Sequence, residues 1–423
     1  MEVRPGYKQT KVGVIPADWE ALPLGHVIEY VKGFAFSAED YQSHGIRIIR
    51  VSDTTCDGIK DKDAIYINES KAKSFRKWSL REGDLIVSTV GSKPPMYDSI
   101  VGKATFVQAK DRCALLNQNA VIIRARKWSI GLQRLLHNHL RQKRYLNHIE
   151  MIYRGNANQA SITLKELFEY PIPLPPTKAE QEAIAEALSD ADSLIESLEH
   201  LIAKKRQIKQ GTMQELLTDK KRLPGFSGEW EVKTLGDLGN CFAGGTPSTF
   251  HPEYWGGEIC WLPSGRVQNC ILECRPEDEI RITKRGLEES AAKLIKAQSV
   301  LVAITGATCA NIACLEFEAS ANQSVVAIEP ISTVNYRFIY YSMLMERDTI
   351  LSLQSGSAQG GVNLKTTKSI QLQIPSLPEQ TAIAAILSDM DTEINTLEAK
   401  LTKARQIKQG MMQELLTGRI RLI

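Results

Sequence analysis

The sequence predicts an α+β molecule: two mixed α/β domains alternate with two long duplicated helices, and the helices pair as an antiparallel coiled coil in a pseudo-two-fold chain. Three observations lead there: an ungapped internal repeat, an apolar heptad seam in both copies of it, and β-branched runs between turn signals elsewhere.

The repeat comes first, because duplication governs how every other motif is read. Glu180-Gln181-Glu182-Ala183-Ile184-Ala185 recurs as Glu379-Gln380-Thr381-Ala382-Ile383-Ala384, an offset of 199. At the same offset Arg206-Gln207-Ile208-Lys209-Gln210-Gly211 recurs as Arg405-Gln406-Ile407-Lys408-Gln409-Gly410, and Met213-Gln214-Glu215-Leu216-Leu217-Thr218 as Met412-Gln413-Glu414-Leu415-Leu416-Thr417. Elsewhere the offset drifts: Trp19-Glu20 pairs with Trp230-Glu231 at 211, and Asn117-Gln118 with Asn322-Gln323 at 205. Drift marks loop insertions on a shared fold. The expected organisation is a first domain over 1–175, a helical block over 176–222, a second domain over 223–374 and a second block over 375–423.

Both blocks carry a 4-3-4-3-4 apolar spacing, the seam of a coiled coil. In the first block the seam is Ile184, Leu188, Ala191, Ile195, Leu198 and Ile202; in the second it is Ile383, Leu387, Met390, Ile394, Leu397 and Leu401. Pro175-Pro176 and Pro375 with Pro378 set the helix starts. With a break near Gly211, each rod spans up to ~60 Å at ~1.5 Å per residue. Two domains alternating with two long helices in one chain are most simply accommodated if the helices run antiparallel. Head and tail then meet: Ile15-Pro16-Ala17-Asp18-Trp19-Glu20 resembles Gly225-Phe226-Ser227-Gly228-Glu229-Trp230-Glu231, so the termini are expected as neighbours.

Strands are expected at Ile46–Val51, Asp84–Thr89, Ala120–Ile123, Ser299–Ile304 and Val325–Ile328. Helical stretches follow near Ser129–Glu150 and Tyr336–Leu353, and Gly-rich turns at Gly244-Gly245-Thr246-Pro247 and Gly256-Gly257 interrupt the second copy. Trp255 and Trp261, flanked by glycine and isoleucine, read as core, and the recurring Asn117-Gln118 and Asn322-Gln323 as structural turns.

The net charge of +3 is uninformative, but its distribution is not. Residues 1–175 hold 26 Lys+Arg against 18 Asp+Glu, whereas residues 229–374 hold 12 against 16. Only the first domain suggests a phosphate-facing surface on charge alone. No apolar run is long enough for a membrane span, and the N-terminus lacks the layout of a secretory signal, so a cytoplasmic protein is expected. The eight cysteines are expected reduced; spacings such as Cys270/Cys274 and Cys309/Cys314 fit zinc knuckles poorly.

No phosphate-binding loop, dinucleotide fingerprint or zinc-protease motif is present. Lys93-Pro94-Pro95-Met96-Tyr97 comes near the Asn/Asp-Pro-Pro-Tyr loop of amino-methyltransferases. Lysine, however, replaces the residue that accepts from the target amine, and Met96 displaces the stacking aromatic. Asp53, Asp57, Asp61 and Asp63 alternate with lysines as in a solvated loop. The chain is therefore read as non-catalytic, with no cofactor or metal of its own.

At this point the residues carry a resemblance. The domain–helix–domain–helix order, the Glu-Gln-x-x-Ile-Ala strings and the Gln-Ile-Lys-Gln-Gly-x-Met-Gln-Glu-Leu-Leu-Thr strings resemble the specificity subunits of type I restriction–modification systems. So do Gly33-Phe34-Ala35-Phe36-Ser37 with Gly45–Val51, and Gly244–Thr249 with Tyr254-Trp255-Gly256-Gly257. The resemblance implies that each domain is a target-recognition domain reading one half of a bipartite sequence in double-stranded DNA. The coiled coil would set the unread spacer and dock two methylation subunits, joined by two restriction/translocase subunits. It also implies that S-adenosylmethionine, ATP and Mg²⁺ belong to those partners. The rival expectation is a coiled-coil assembly scaffold that does not bind DNA.

Base readout needs hydrogen-bonding side chains on exposed loops. The candidates in the first domain are Ser88, Thr89, Ser92 and Lys93 after a buried-looking strand, with Arg154, Asn156, Asn158 and Gln159 from a polar stretch. In the second they are Thr305, Thr308, Ser355, Ser357 and Gln359, with Lys284 and Arg285 as phosphate contacts.

Overall fold

A computed structural model describes residues 4–56, 58–92, 101–156, 159–273, 280–354 and 361–422. The chain divides into two compact units, one of Met1–Leu198 with Lys400–Ile423 and one of Glu199–Ala399. Each is built from the same parts.

In the first unit a four-stranded antiparallel sheet runs in the order Ile28–Lys32, Ala120–Ala125, Leu85–Ser88, Ala104–Phe106. Its central strands are apolar at nearly every position because both faces are covered, and the two-residue strand period sorts their side chains between two cores. Leu85, Val87, Val121 and Ile123 join the larger core with Leu132, Leu135 and Leu136 of the helix Ile130–His139. Ile86, Ala120 and Ile122 join a second core with Ile49 and Leu80. A smaller sheet places Ile46–Ile49 between Leu115–Leu116, parallel, and Ile65–Ile67, antiparallel.

The second unit repeats this plan. Gly239–Ala243, Val325–Pro330, Ser299–Ala303, Ile312–Leu315 and Cys270–Leu272 form the main sheet. Trp255–Leu262 lies between Ala319–Ala321, parallel, and Arg281–Ile282, antiparallel. The same alternation sends Val300, Val302, Val326 and Ile328 to one core and Leu301, Ala303, Val325 and Ala327 to the other. Trp261 is buried and Trp255 half-buried, their rings 5.3 Å apart edge to face, as the core reading expected. The expected helical stretches each form as two helices. Ile130–His139 is followed by Lys143–Ile152, and Tyr336–Met345 by Arg347–Ser352.

The long helices span Lys178–Leu216 and Leu377–Leu415, 39 residues each. No break occurs at Gly211, against expectation. One glycine costs a helix about 1 kcal/mol, and Met213, Leu216 and Leu217 just beyond it are buried in the second unit's core. The helices run antiparallel within each unit. Ile184 and Leu188 near the start of the first share a core with Leu415 and Leu416 at the end of the second, and Ile383 and Leu387 share one with Met213, Leu216 and Leu217. These four seam residues therefore meet the opposite helix inside the domain cores. Farther along, Ile202, Ile394 and Leu397 are buried while Ile195, Leu198 and Leu401 are half-buried.

Charged residues repeat across the helix pair too. Lys408 bonds Asp192 in one unit and Lys209 bonds Asp391 in the other. The duplicated Glu-Gln string has a physical reason in both copies. Gln181 and Gln380 each donate from Nε2 to a proline carbonyl ahead of the helix, 2.8 Å away in both cases. Buried Glu379 accepts two bonds from Arg222, each 2.7 Å, and buried Glu180 accepts from Arg421. Arg222 lies over the Trp230 ring at 5.9 Å, and Arg421 over Trp19 at 5.7 Å. In the first unit the chain's last residues thus close onto its first: Arg421 also bonds Asp18 at 3.1 Å, and Tyr7 Oη donates to the Gly418 carbonyl at 3.2 Å.

Candidate nucleic-acid interface

In the first unit a small three-stranded sheet draws together residues far apart in sequence. Arg154–Asn156 pairs with Gln159–Ser161, which pairs with Val90–Gly91. Thr89 and Ser92 flank the last strand, half-buried; Arg154, Asn156 and Gln159 are exposed on the other two. The polar stretch read as a loop is therefore a hairpin. Gly155 makes it possible: its φ is +105°, and a Cβ there would stand 2.3 Å from the Gln159 carbonyl oxygen. Five of the expected residues meet on this sheet. Lys93 and Asn158 fall outside the described residues.

Ser88 does not belong with them. It closes the Leu85–Ser88 strand opposite Ala120 and is 1% exposed, because the strand continues one residue past its last aliphatic side chain. A base edge cannot reach it.

Beside the sheet lies an open cleft of about 470 Å³ lined by Lys32, Gly33, Thr89, Asn119, Thr163 and Lys165 among others. Lys32, Asn119, Thr163 and Lys165 are exposed, so the cleft presents two ammonium groups and two hydrogen-bonding side chains beside aliphatic Ala120, Val121, Ile162 and Leu164. None of the four polar residues was a sequence candidate. Thr163 did carry a signal: Thr-x-x-Glu opens the helix Leu164–Phe168, with Thr163 Oγ1 accepting from the Glu166 amide at 3.3 Å. Asn119 follows the Asn117-Gln118 turn with φ at +70°. That turn is structural as expected, with Asn117 buried and its Oδ1 accepting from the Gln118 amide. Arg154 bonds Glu166 at 2.6 Å, and Thr163 Oγ1 donates to the same carboxylate. Both contacts hold the Glu166 carboxyl below its ordinary range, the Thr163 bond first. An exposed pair of this kind contributes little to stability and exchanges readily, so Arg154 can turn to a phosphate at small cost.

In the second unit Thr305 is exposed and bridges to Gly361, the counterpart of the Val90–Gly91 pairing. Thr308 is half-buried, its Oγ1 donating to the Thr305 carbonyl at 3.4 Å. Ser355, Ser357 and Gln359 lie outside the described residues. Lys284 and Arg285 sit apart from the Thr305 turn, on the helix Lys284–Glu288 that packs against Pro252–Tyr254. They are not free cations: Lys284 pairs with Glu288 at 3.7 Å and Arg285 with Glu289 at 3.0 Å. Both pairs are exposed and one helical turn long, so like Arg154 these cations exchange partners at small cost.

Among the described residues no group of three His, Cys, Asp or Glu side chains is placed to hold a metal ion, and no helix is long and apolar enough to cross a membrane.

A family model described as the type I restriction modification DNA specificity domain matches residues 16–209 and again 227–408. A Methanocaldococcus jannaschii protein named for the MjaX type I restriction enzyme specificity subunit is 26% identical over 98% of this chain and 97% of its own length. The EcoR124I/EcoR124II specificity subunit of Escherichia coli is 27% identical over 43% of this chain and 46% of its own. Among solved structures, the type I restriction-modification S subunit of M. genitalium superposes with a TM-score of 0.64 at 17% identity, covering 98% of both chains. A chain from a study of complex assembly and conformational transition in the type I system gives 0.54 at 15%, covering 96% of this chain and 99% of its own.

Proposed function

The chain belongs to the type I restriction-modification DNA specificity family, and from that premise we propose how its parts divide the work of selecting a DNA sequence. It is a specificity subunit, and its task is recognition. The domains over 1–175 and 223–374 each read one half of a split target in double-stranded DNA. The helical blocks over 176–222 and 375–423 fix the spacer between the halves and dock two methylation subunits, with two restriction/translocase subunits completing the assembly. S-adenosylmethionine, ATP and Mg²⁺ act on those partners, and this chain performs no chemistry.

The observation that carries this reading is the double match of the family model, one over each copy of the duplicated chain. The geometry supports it at the first unit's edge. There the hairpin of Arg154, Asn156 and Gln159 adjoins a cleft between Lys32 and Lys165. Cations flanking hydrogen-bonding side chains are what a reader of base edges requires, because phosphates position and bases specify. Thr305 and Thr308 take the corresponding place in the second unit, without a comparable excess of cations.

The test is co-expression with the cognate methylation subunit, followed by mapping of adenine methylation in a genome free of other modification. A split motif with a constant spacer, absent when this chain is omitted, is the expected result. A folded, cofactor-loaded complex that leaves no chain-dependent motif would sink the reading in favour of the assembly scaffold.

A further inference from the structure

The second unit lacks the positive surplus that would draw a phosphate backbone. Residues 229–374 carry 12 Lys+Arg against 16 Asp+Glu, and its exposed cations beside Tyr254 are matched by carboxylates. Its contact with DNA must lean on something other than charge. Phe250 is 92% exposed, more than any other large apolar side chain among the described residues.

The loop that presents it is held at both ends. The Gly244 amide donates to the Val325 carbonyl at 2.9 Å and the Gly245 amide to that of Ala321 at 2.8 Å. A Cβ on Gly245 would lie 2.0 Å from the Ala291 carbonyl oxygen, so only glycine allows this approach. Buried Trp261 donates from Nε1 to the Gly245 carbonyl at 3.0 Å, and Trp255 to that of Ser248 at 3.2 Å. The Phe250 amide donates to Ser248 Oγ, and the neighbouring His251 ring stacks on Tyr254 at 4.8 Å. Two tryptophans, two glycines and a stacked histidine thus fix the backbone around a ring that touches solvent. Holding an aromatic out of the core in a well-pinned loop gives up burial the fold would otherwise gain.

The loop also lies at the reading end of the sheet. Thr246 Oγ1 bonds Gln323, whose neighbour Ser324 accepts at its carbonyl from the Ile304 amide, one residue before Thr305. In the first unit the corresponding Gly33-Phe34-Ala35-Phe36 segment turns its rings inward instead, onto Phe75 and Trp78. There the cleft lysines are at hand.

We infer that Phe250 is a DNA-contacting residue of the second unit, an aromatic wedge that stacks on bases of the half-site this unit reads. The inference rests on the DNA-reading proposal above. A ring wedged into a duplex must offset the unstacking of the base step it opens, so its net contribution is expected at roughly tenfold in affinity. It releases no counterions, so the salt slope stays unchanged.

The test uses the complex with its methylation subunits and a duplex carrying the mapped motif, titrated by fluorescence anisotropy at several salt concentrations. Phe250→Ala is expected to weaken binding by roughly tenfold with an unchanged salt slope and an unchanged Tm, while Phe250→Trp binds as wild type. Wild-type affinity in Phe250→Ala overturns the inference, even if that variant assembles poorly with its partners. So does a loss accompanied by a lowered Tm or shared by Phe250→Trp, either of which marks a structural role. If the wild-type complex itself has no motif, the DNA reading fails and takes this inference with it. If the motif is present and Phe250→Ala is silent, only the wedge is lost.

Discussion

His139 lies wholly inside the first unit, on the helix Ile130–His139. Burial, with repulsion from Arg144, pushes its imidazole from 6.5 down to about 3. The unfolded chain takes up a proton near pH 6.5 that the folded chain refuses until about pH 3. Protonation therefore favours unfolding: the stability is whole above the upper value and drains away as pH falls through that window. The slope is about 1.4 kcal/mol per pH unit. Urea melts between pH 4.5 and 7.5 should show it, and His139→Gln should flatten the curve by that amount; an unchanged slope in the variant would refute the assignment. Lys165 offers a second test at this scale. Lys165→Ala should weaken DNA binding across all sequences and reduce the salt slope by about one, whereas loss of discrimination at one base would contradict its place as a phosphate contact. The individual site residues were the least legible part of the sequence. Thr89, Arg154 and Gln159 could be named from composition, but a serine ending a buried strand looks like one opening a loop, and Ser88 shows the cost. Lys32 and Lys165 gave no local sign, because what unites them is a cleft closed by residues over a hundred positions apart.

Elements were easier to read. A strand buried on both faces shows a continuous apolar run, and Leu85–Ser88 and Ser299–Ala303 were visible for that reason. The polar Arg154–Asn156 hairpin was not, since its strands gain stability from backbone pairing with Val90–Gly91 and bury only Ala160 among the paired residues. Gly211 was over-read: a glycine lowers local propensity, but packing on either side decides whether the helix continues. A Cβ at Gly211 meets nothing within 4 Å. Gly211→Ala should accordingly stabilise the protein by about 0.5–1 kcal/mol, measured as a rise in denaturation midpoint; a loss would mean that the helix needs its glycine. Gly33→Ala should do the opposite and cost folding outright, since its Cβ would stand 1.8 Å from the Asn117 carbonyl oxygen.

At the scale of the whole molecule, the duplication extends to the joints. Arg222, Glu379 and Trp230 meet across a continuous stretch of chain, and Arg421, Glu180 and Trp19 meet across its two ends. A circular permutant of residues 1–423 opened near Leu223, with residues 1 and 423 linked, should fold with a Tm close to wild type and bind the same DNA. Failure to fold would mean that the two clasps are not equivalent. The clasp also orders events during synthesis. Residues 199–399 form their unit as one continuous stretch, whereas the other unit is drawn from 1–198 and 400–423. In that divided unit Glu180 gains its partner only once Arg421, 241 positions farther along the chain, has been made. The unit whose first segment comes earlier in the chain is therefore closed only after the other.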